Sequence, residues 1–215
     1  ITVHYVRLAE NFGGAGGFYE GIKRAYTKNY EFLWLMDDDG LPTLTALENL
    51  LNKKSANTVL CSLVVDKNVP DRLCFGLKIR GKYYYSVKEI TKFANSDNIL
   101  AINTGNFFNS VLIPRVIVEK VGFPDKSLFI WGDELDYLFR ILKHKFKVVS
   151  VTDSIHYHPI PKKEMVKWKQ YYMVRNSIIL LQRYRYFKYV IIPIRALVKI
   201  IIMDGLTGRN TKLIV

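Results

Sequence analysis

The chain has 215 residues, 49% hydrophobic and 24% charged, enough for one sizeable core and not the composition of a disordered chain. Its formal net charge of +13 calls for an anionic partner: nucleic acid, anionic lipid or a phosphorylated substrate. Two cysteines, Cys61 and Cys74, give no disulfide framework, so a reducing compartment is expected; the start carries no signal-peptide pattern, and no apolar run reaches the roughly 18–20 residues of a spanning helix.

The predicted elements alternate along the chain. ITVHYVRL, residues 1–8, reads as a strand, and ENFGGAGGFYEGIKRAYTKNY as a glycine-rich loop feeding a helix. FLWLM, residues 32–36, is apolar on both faces, as a strand covered by helices would be. PTLTALENLLNKK is predicted helical, capped by Thr43, with Leu44, Leu47, Leu50 and Leu51 at helical spacing. TVLCSLVV is another strand. Residues 66–100 form an inserted hairpin region, with LKIRGKYYYSVK as two strands around Gly81. INTGNFFNSVLIP reads as strand and loop, RVIVEKVG as a short helix, WGDELDYLFRILKHK as a helix and FKVVSVTDSIHYH as an edge strand. Residues 164–203 are helical, aromatic and basic. The alternation predicts an α/β fold with a mainly parallel sheet and flanking helices. Residues 1–163 form the predicted core domain and 164–215 a C-terminal helical region.

Three carboxylates, Asp37, Asp38 and Asp39, follow the apolar FLWLM directly. Like charges this close repel and raise one another's pKa. Ligands of open α/β sheets bind beyond the carboxyl ends of strands. In an extended segment Asp37 and Asp39 point the same way, and a hard divalent cation would cancel their repulsion. Magnesium takes one or two protein carboxylates together with phosphate oxygens, so Asp-x-Asp suggests a metal–diphosphate site. A solvated acidic turn capping the next helix is the plainer alternative. NFGGAGGF has Tyr19 where the dinucleotide fingerprint needs its third glycine, and it is no P-loop. It offers bare backbone at a helix N-terminus that favours phosphate, or simply a tight turn.

In FIWGDELDYLFR, Asp133 reads as an N-cap and Asp136 as the ion-pair partner of Arg140. Leu135, Leu138, Phe139 and Leu142 form the expected buried stripe. Glu134 has no structural role left; near Trp131, in a partly apolar pocket, it suits a general base. His156 and His158 share a strand face, where a neutral imidazole completes a metal shell with Asp37 and Asp39 or is merely structural.

Together NFGGAGGF, WLMDDDGLP, VGFPDKSLFIWGDELDYLFR, HYH and QYYMVRNS resemble the inverting GT-A glycosyltransferases of family 2, in the bacterial galactofuranosyl- and rhamnosyltransferase-like branch. The resemblance covers residues 1 to about 180. It implies a nucleotide-diphosphate sugar donor (a UDP- or dTDP-sugar), an Mn2+ or Mg2+ ion, and a lipid-linked or polysaccharide acceptor of a growing cell-surface glycan. Asp37 and Asp39 match the metal and diphosphate motif. Asn11, Gly13, Gly14, Gly16 and Gly17, with Asp37, Asp38 and Asp39, become the donor-binding set. Glu134 stands where the family carries its base, usually an Asp of an ED or DD pair. Asp133 matches the neighbouring acid and, with Trp131, the acceptor side; Trp131 leans toward galactofuranose. His158 matches the metal-ligand His, with His156 as the fallback. The family opens with a strand–helix–strand unit bearing a TYNR-like motif, whereas this chain begins at what resembles the third strand. On this resemblance the enzyme inverts configuration in a single displacement.

The tail RYRYFKYVIIPIRALVKIIIMDG sets Arg185, Lys188, Arg195 and Lys199 in one narrow arc of an otherwise apolar helix, interrupted at Pro193. Such a stripe fits an interfacial helix on an anionic membrane surface, which would place the protein on the inner face of the cell membrane. Its other readings are a helix docked on the catalytic domain and a contact between copies in an oligomer. A metal-dependent nuclease or nucleotidyltransferase would use the same carboxylates. The basic residues concentrate on the apolar tail instead of lining a polar groove, so nucleic acid is not the expected partner. An inactive lipid- or partner-binding remnant is the third reading.

Overall fold

The computed structural model describes residues 2–101, 103, 105–160, 166–185, 193 and 194. Residues 2–8 carry no regular structure and are nearly all exposed, so ITVHYVRL is not a strand among the described residues; no neighbouring strand lies beside it to satisfy its backbone. Helix α1 spans Gly13–Thr27 and buries Ala15, Gly16 and Ile22. The expected glycine loop is therefore the first two turns of a helix.

Strand β1 (Phe32–Leu35) leads through the acidic turn to the short β2 (Leu41–Pro42) and helix α2 (Ala46–Leu51). Thr43 does not cap α2 with its side chain. Its Oγ1 donates to the Ile155 carbonyl at 3.2 Å, while its own carbonyl accepts from Ala46 N. Leu44 lies ahead of the helix and is fully exposed; Leu50 carries the burial. Strand β3 (Thr58–Asp66) is followed by the hairpin β4 (Val69–Ile79) and β5 (Lys82–Ser86), joined through Arg80 and Gly81 at positive φ. Helix α3 (Val87–Thr91) is capped by the Ser86 hydroxyl. Then come β6 (Ile99–Leu100), β7 (Val111–Pro114), α4 (Arg115–Val121), a 3-10 turn (Lys126–Leu128), α5 (Asp133–Lys143), β8 (Lys147–His158) and α6 (Lys167–Tyr184).

The sheet is mixed and mainly antiparallel, not mainly parallel as the alternation predicts. β7 runs antiparallel to both β1 and β3, and β3–β8 is the one parallel pairing of the described strands. The physical reason is local: β1 and β3 point the same way but do not pair, because β7 lies between them in reverse. β8 is also no edge strand. It pairs β3 on one side and β2 and β6 on the other. The consequence for function is shared direction: β1, β3 and β8 all end at one edge. α1 and α5 run back to the starts of β1 and β8, so the N-termini of both helices lie at that edge too.

β3 is buried on both faces. One face packs Val59 and Cys61 against Ile22 of α1, Ile117 of α4 and Tyr137 and Ile141 of α5. The other packs Leu60 against Leu50 of α2. The stripe on α5 is Tyr137, Leu138 and Ile141 with the acids Asp133 and Asp136; Leu135, Phe139 and Leu142 are only partly covered. A hydroxyl chain crosses this core. Trp34 Nε1 donates to Ser110, and Ser62 links Ser110 to Ser154 at 2.7 Å on each side. Ser154 ends the chain on the Ala46 carbonyl, which fixes its direction, since a carbonyl only accepts.

The boundary at 163/164 falls in residues outside the described set. α6 itself lies against the loop before α5, with Asn176, Ser177 and Leu180 fully buried. Of the basic stripe, Arg185 is described, as the exposed left-handed residue ending α6. Lys188, Arg195 and Lys199 lie outside the described residues. Among the described residues no helix is long and apolar enough to cross a membrane.

Candidate active site

Two acidic clusters sit at the strand-end edge. The first begins where β1 stops. Asp37–Gly40 is a turn, closed by Gly40 N to the Asp37 carbonyl at 3.4 Å, not the extended run expected from alternation. The turn still brings Asp37 and Asp39 together with His158 from the end of β8. One ligand atom from each lies within 4.8 Å of the others. Asp38 is exposed on the turn. The turn needs Gly40: a Cβ there would meet the His156 ring at 2.1 Å. Asn109 hydrogen-bonds Asp37 and Phe75 flanks the His158 ring, two neighbours that the sequence did not mark.

The electrostatics of this cluster fit a cation. Burial pushes the Asp37 carboxyl up to about 6, with the charges of Asp39 and Asp38 adding and His158 and Asn109 opposing. His158 Nδ1 lies 2.6 Å from the Pro159 carbonyl, which only accepts, so Nδ1 carries the hydrogen. That leaves the lone pair of a neutral ring on Nε2, 3.1 Å from Asp39 Oδ1. Two lone pairs so close require a proton or a cation between them. Two carboxylates and an imidazole held by a carbonyl are a donor set that a hard divalent ion accepts. His156 is not part of it. It is fully buried against Gly40, neither ring nitrogen has a partner, and burial pulls its pKa down to about 4.

The second cluster opens α5. Gly132, at φ 85°, is the N-cap, which displaces Asp133 from the capping role into the first helical position. Asp133 is buried, and its carboxyl hydrogen-bonds that of Glu134. Glu134 also accepts from Gly132 N at 3.1 Å. Burial, then the charge and hydrogen bond of Asp133, push Glu134 up to about 8. Burial raises Asp133 as well. The pair shares a proton and titrates as a unit. Asp136 pairs with Arg140 at 3.0 Å as expected, and also with Arg183 at 2.9 Å and the Tyr184 hydroxyl at 2.8 Å from α6. Trp131, half-buried at φ 69°, precedes the pair.

The glycines reach the same place. Gly13, at φ 66°, has no room for a Cβ, which would fall 2.0 Å from the Phe129 carbonyl oxygen. Ala15 N donates to that oxygen at 3.1 Å, Gly16 N to Phe12 O and Gly13 N to Asn11 Oδ1. Three amides at this helix start are thus already used, and Asn11 closes a local turn. Gly14 and Gly17 have open space where a Cβ would stand.

The family model described as glycosyl transferase family 2 matches residues 1–112. Galactofuranosyltransferase GlfT1 of Mycolicibacterium smegmatis is 30% identical over 159 residues, 72% of this chain and 53% of the relative. The protein of that name from Mycobacterium tuberculosis is 28% identical over 166 residues, 74% of this chain and 53% of the relative. This chain therefore spans about half the length of the curated relatives it matches. Among solved structures, the crystal structure of GalNAc-T7 with UDP, GalNAc and Mn2+ aligns with a TM-score of 0.55 at 14% identity, covering 80% of this chain and 38% of that one. The likeness establishes the fold, GT-A.

Proposed function

This chain belongs to glycosyl transferase family 2, and on that premise we propose that it transfers galactofuranose from a uridine-diphosphate donor to a growing cell-surface glycan, with inversion of configuration. The observation that carries the reading is the meeting of Asp37, Asp39 and His158 at the ends of β1 and β8, at the edge where the acid pair opens α5. Galactofuranose is favoured over rhamnose by the names of the relatives, and uridine diphosphate by the ligand of the GT-A neighbour.

Asp37, Asp39 and His158 would hold Mn2+ or Mg2+. Bound there, such an ion would neutralise charge on the leaving diphosphate. Asn109 orients Asp37, and the Pro159 carbonyl keeps the lone pair of His158 turned toward the carboxylates. The open faces of Gly14 and Gly17 leave room for the donor beside the helix start. Glu134 takes the proton of the acceptor hydroxyl. The acceptor oxygen bonds to the anomeric carbon as the bond to the diphosphate breaks on the opposite face. One base suffices, and no covalent intermediate on the protein is needed. Asp133, hydrogen-bonded beside it, raises the proton affinity of Glu134, and Trp131 supplies an aromatic surface for the acceptor ring. The tail's basic stripe is assigned to an anionic membrane surface that carries a lipid-linked acceptor.

The test is calorimetry on the full-length protein with Mn2+ and UDP. Asp37→Asn and Asp39→Asn each remove a charge from the cation's shell and are expected to abolish metal-dependent nucleotide binding. Unchanged affinity in both variants would overturn the assignment.

A further inference from the structure

The motif QYYMVRNS has no part in the chemistry above, yet α6 uses it to grip the segment that leads into the acid pair. Asn176, fully buried, sets the two hydrogens of Nδ2 among three backbone carbonyls, one of them shared: Leu128 at 2.8 Å, Ile130 at 3.0 Å and Trp131 at 2.7 Å. Arg175 donates to the Ser127 carbonyl at 2.8 Å. The remaining carbonyl, that of Phe129, accepts from Ala15 in α1. Every carbonyl from Ser127 to Trp131 is therefore held by α1 or α6. The orientation of the amide is fixed by chemistry: turned over, Oδ1 would face three carbonyl oxygens. The cost of the arrangement is visible, since Asn176 Oδ1 is buried without a partner.

The backbone so held is strained. Phe129 has φ 65° and ψ −62°, and Ile130 N bonds the Leu128 carbonyl at 2.8 Å. That is the rare γ-turn of positive φ. Trp131 at φ 69° and Gly132 at φ 85° follow. Such conformations persist only where the surroundings over-determine them, and they concentrate at functional sites. Helix α6 also closes the space above Gly132: an added Cβ would lie 3.1 Å from Leu180 Cδ1 and 3.6 Å from Asn176 Cβ. The amide of Gly132, in turn, holds the Glu134 carboxylate.

We infer that Asn176 is a positioning residue for glycosyl transfer, fixing from α6 the strained 128–132 backbone that aims Trp131 and Glu134 at the acceptor. The inference rests on the reading of Glu134 as the base. Asn176→Ala removes all three bonds and lets the segment relax toward ordinary φ, carrying Glu134 with it. Gly132→Ala perturbs the same backbone from its other side.

The experiment measures kcat, acceptor KM and Mn2+–UDP affinity for full-length Asn176→Ala, Gly132→Ala, the double variant and Glu134→Gln. Leu50→Ala, in α2 on the opposite sheet face, serves as an equally destabilised control. Expected are a kcat lowered about 10- to 100-fold in each single variant, nucleotide affinity within about twofold of wild type, and a double variant well short of the product of the two losses. Leu50→Ala should keep its kcat while folded. If Asn176→Ala does not fold, Gly132→Ala carries the same prediction. A kcat within about twofold of wild type, or fully multiplicative losses, would overturn the inference. A dead Glu134→Gln beside a normal Asn176→Ala sinks the positioning role alone, whereas an active Glu134→Gln sinks the base.

Discussion

Glu134 is the residue on which chemistry and stability pull in opposite directions. Its carboxyl, pushed up to about 8 from an ordinary 4.5 by burial and by Asp133, must lose its proton to act as a base. Turnover should therefore rise with pH through about 8 and level off above it. The folded chain keeps a proton that the unfolded chain releases above about 4.5. Stability accordingly falls as pH rises across that window. Glu134→Gln removes the fall: it should be inactive yet more stable than wild type at pH 8, by roughly 1 kcal/mol or more, and equal near pH 4. Thermal melts at the two pH values check this, and a variant no more stable at pH 8 would show that Glu134 is ionised in the fold. The pairing of Asp136 with Arg140 was legible from their helical spacing, and it is what singles out Glu134 for the proposed role. The burial of Asp136 was not legible, since Arg183 and Tyr184 of α6, more than forty residues away, cover it.

At the scale of elements, the acidic turn meets His158 because β1 and β8 end at the same edge. β2 pairs with β8 so that Pro42 faces His156, and Gly40 lies against that ring. The close approach transmits any bulk at position 40 to both arms of the cluster. Gly40→Ala should lower stability by about 1–3 kcal/mol, since its Cβ meets a buried ring and not a flexible chain end. It should also weaken Mn2+ binding. Unchanged melting and metal affinity would mean that the turn is not set by this contact. The local patterns were readable here: FLWLM, TVLCSLVV, the Gly81 hairpin and the α5 segment form close to where their periodicity puts them. Their pairing was not. Direction in a sheet is decided by which strand intervenes, and nothing in VLIP says that it reverses between β1 and β3. ITVHYVRL shows the same limit, because strand propensity without a partner leaves the backbone unpaired.

At the scale of the molecule, a GT-A scaffold gathers at one sheet edge a cluster that could hold a cation and a hydrogen-bonded acid pair, with α6 bracing the segment before the pair. Mn2+ should raise the melting temperature of wild type, since a ligand that binds only the folded chain stabilises it, and should leave Asp39→Asn unmoved. The most direct measurement is sugar transfer itself: full-length protein, UDP-galactofuranose and a galactofuranose-terminated acceptor, with and without a chelator. Expected is an inverted glycosidic product whose formation stops on chelation, returns with Mn2+ and is absent in Asp39→Asn. Equal transfer by the chelated enzyme, or by Asp39→Asn, would rule out a metal-dependent transferase built on Asp37, Asp39 and His158.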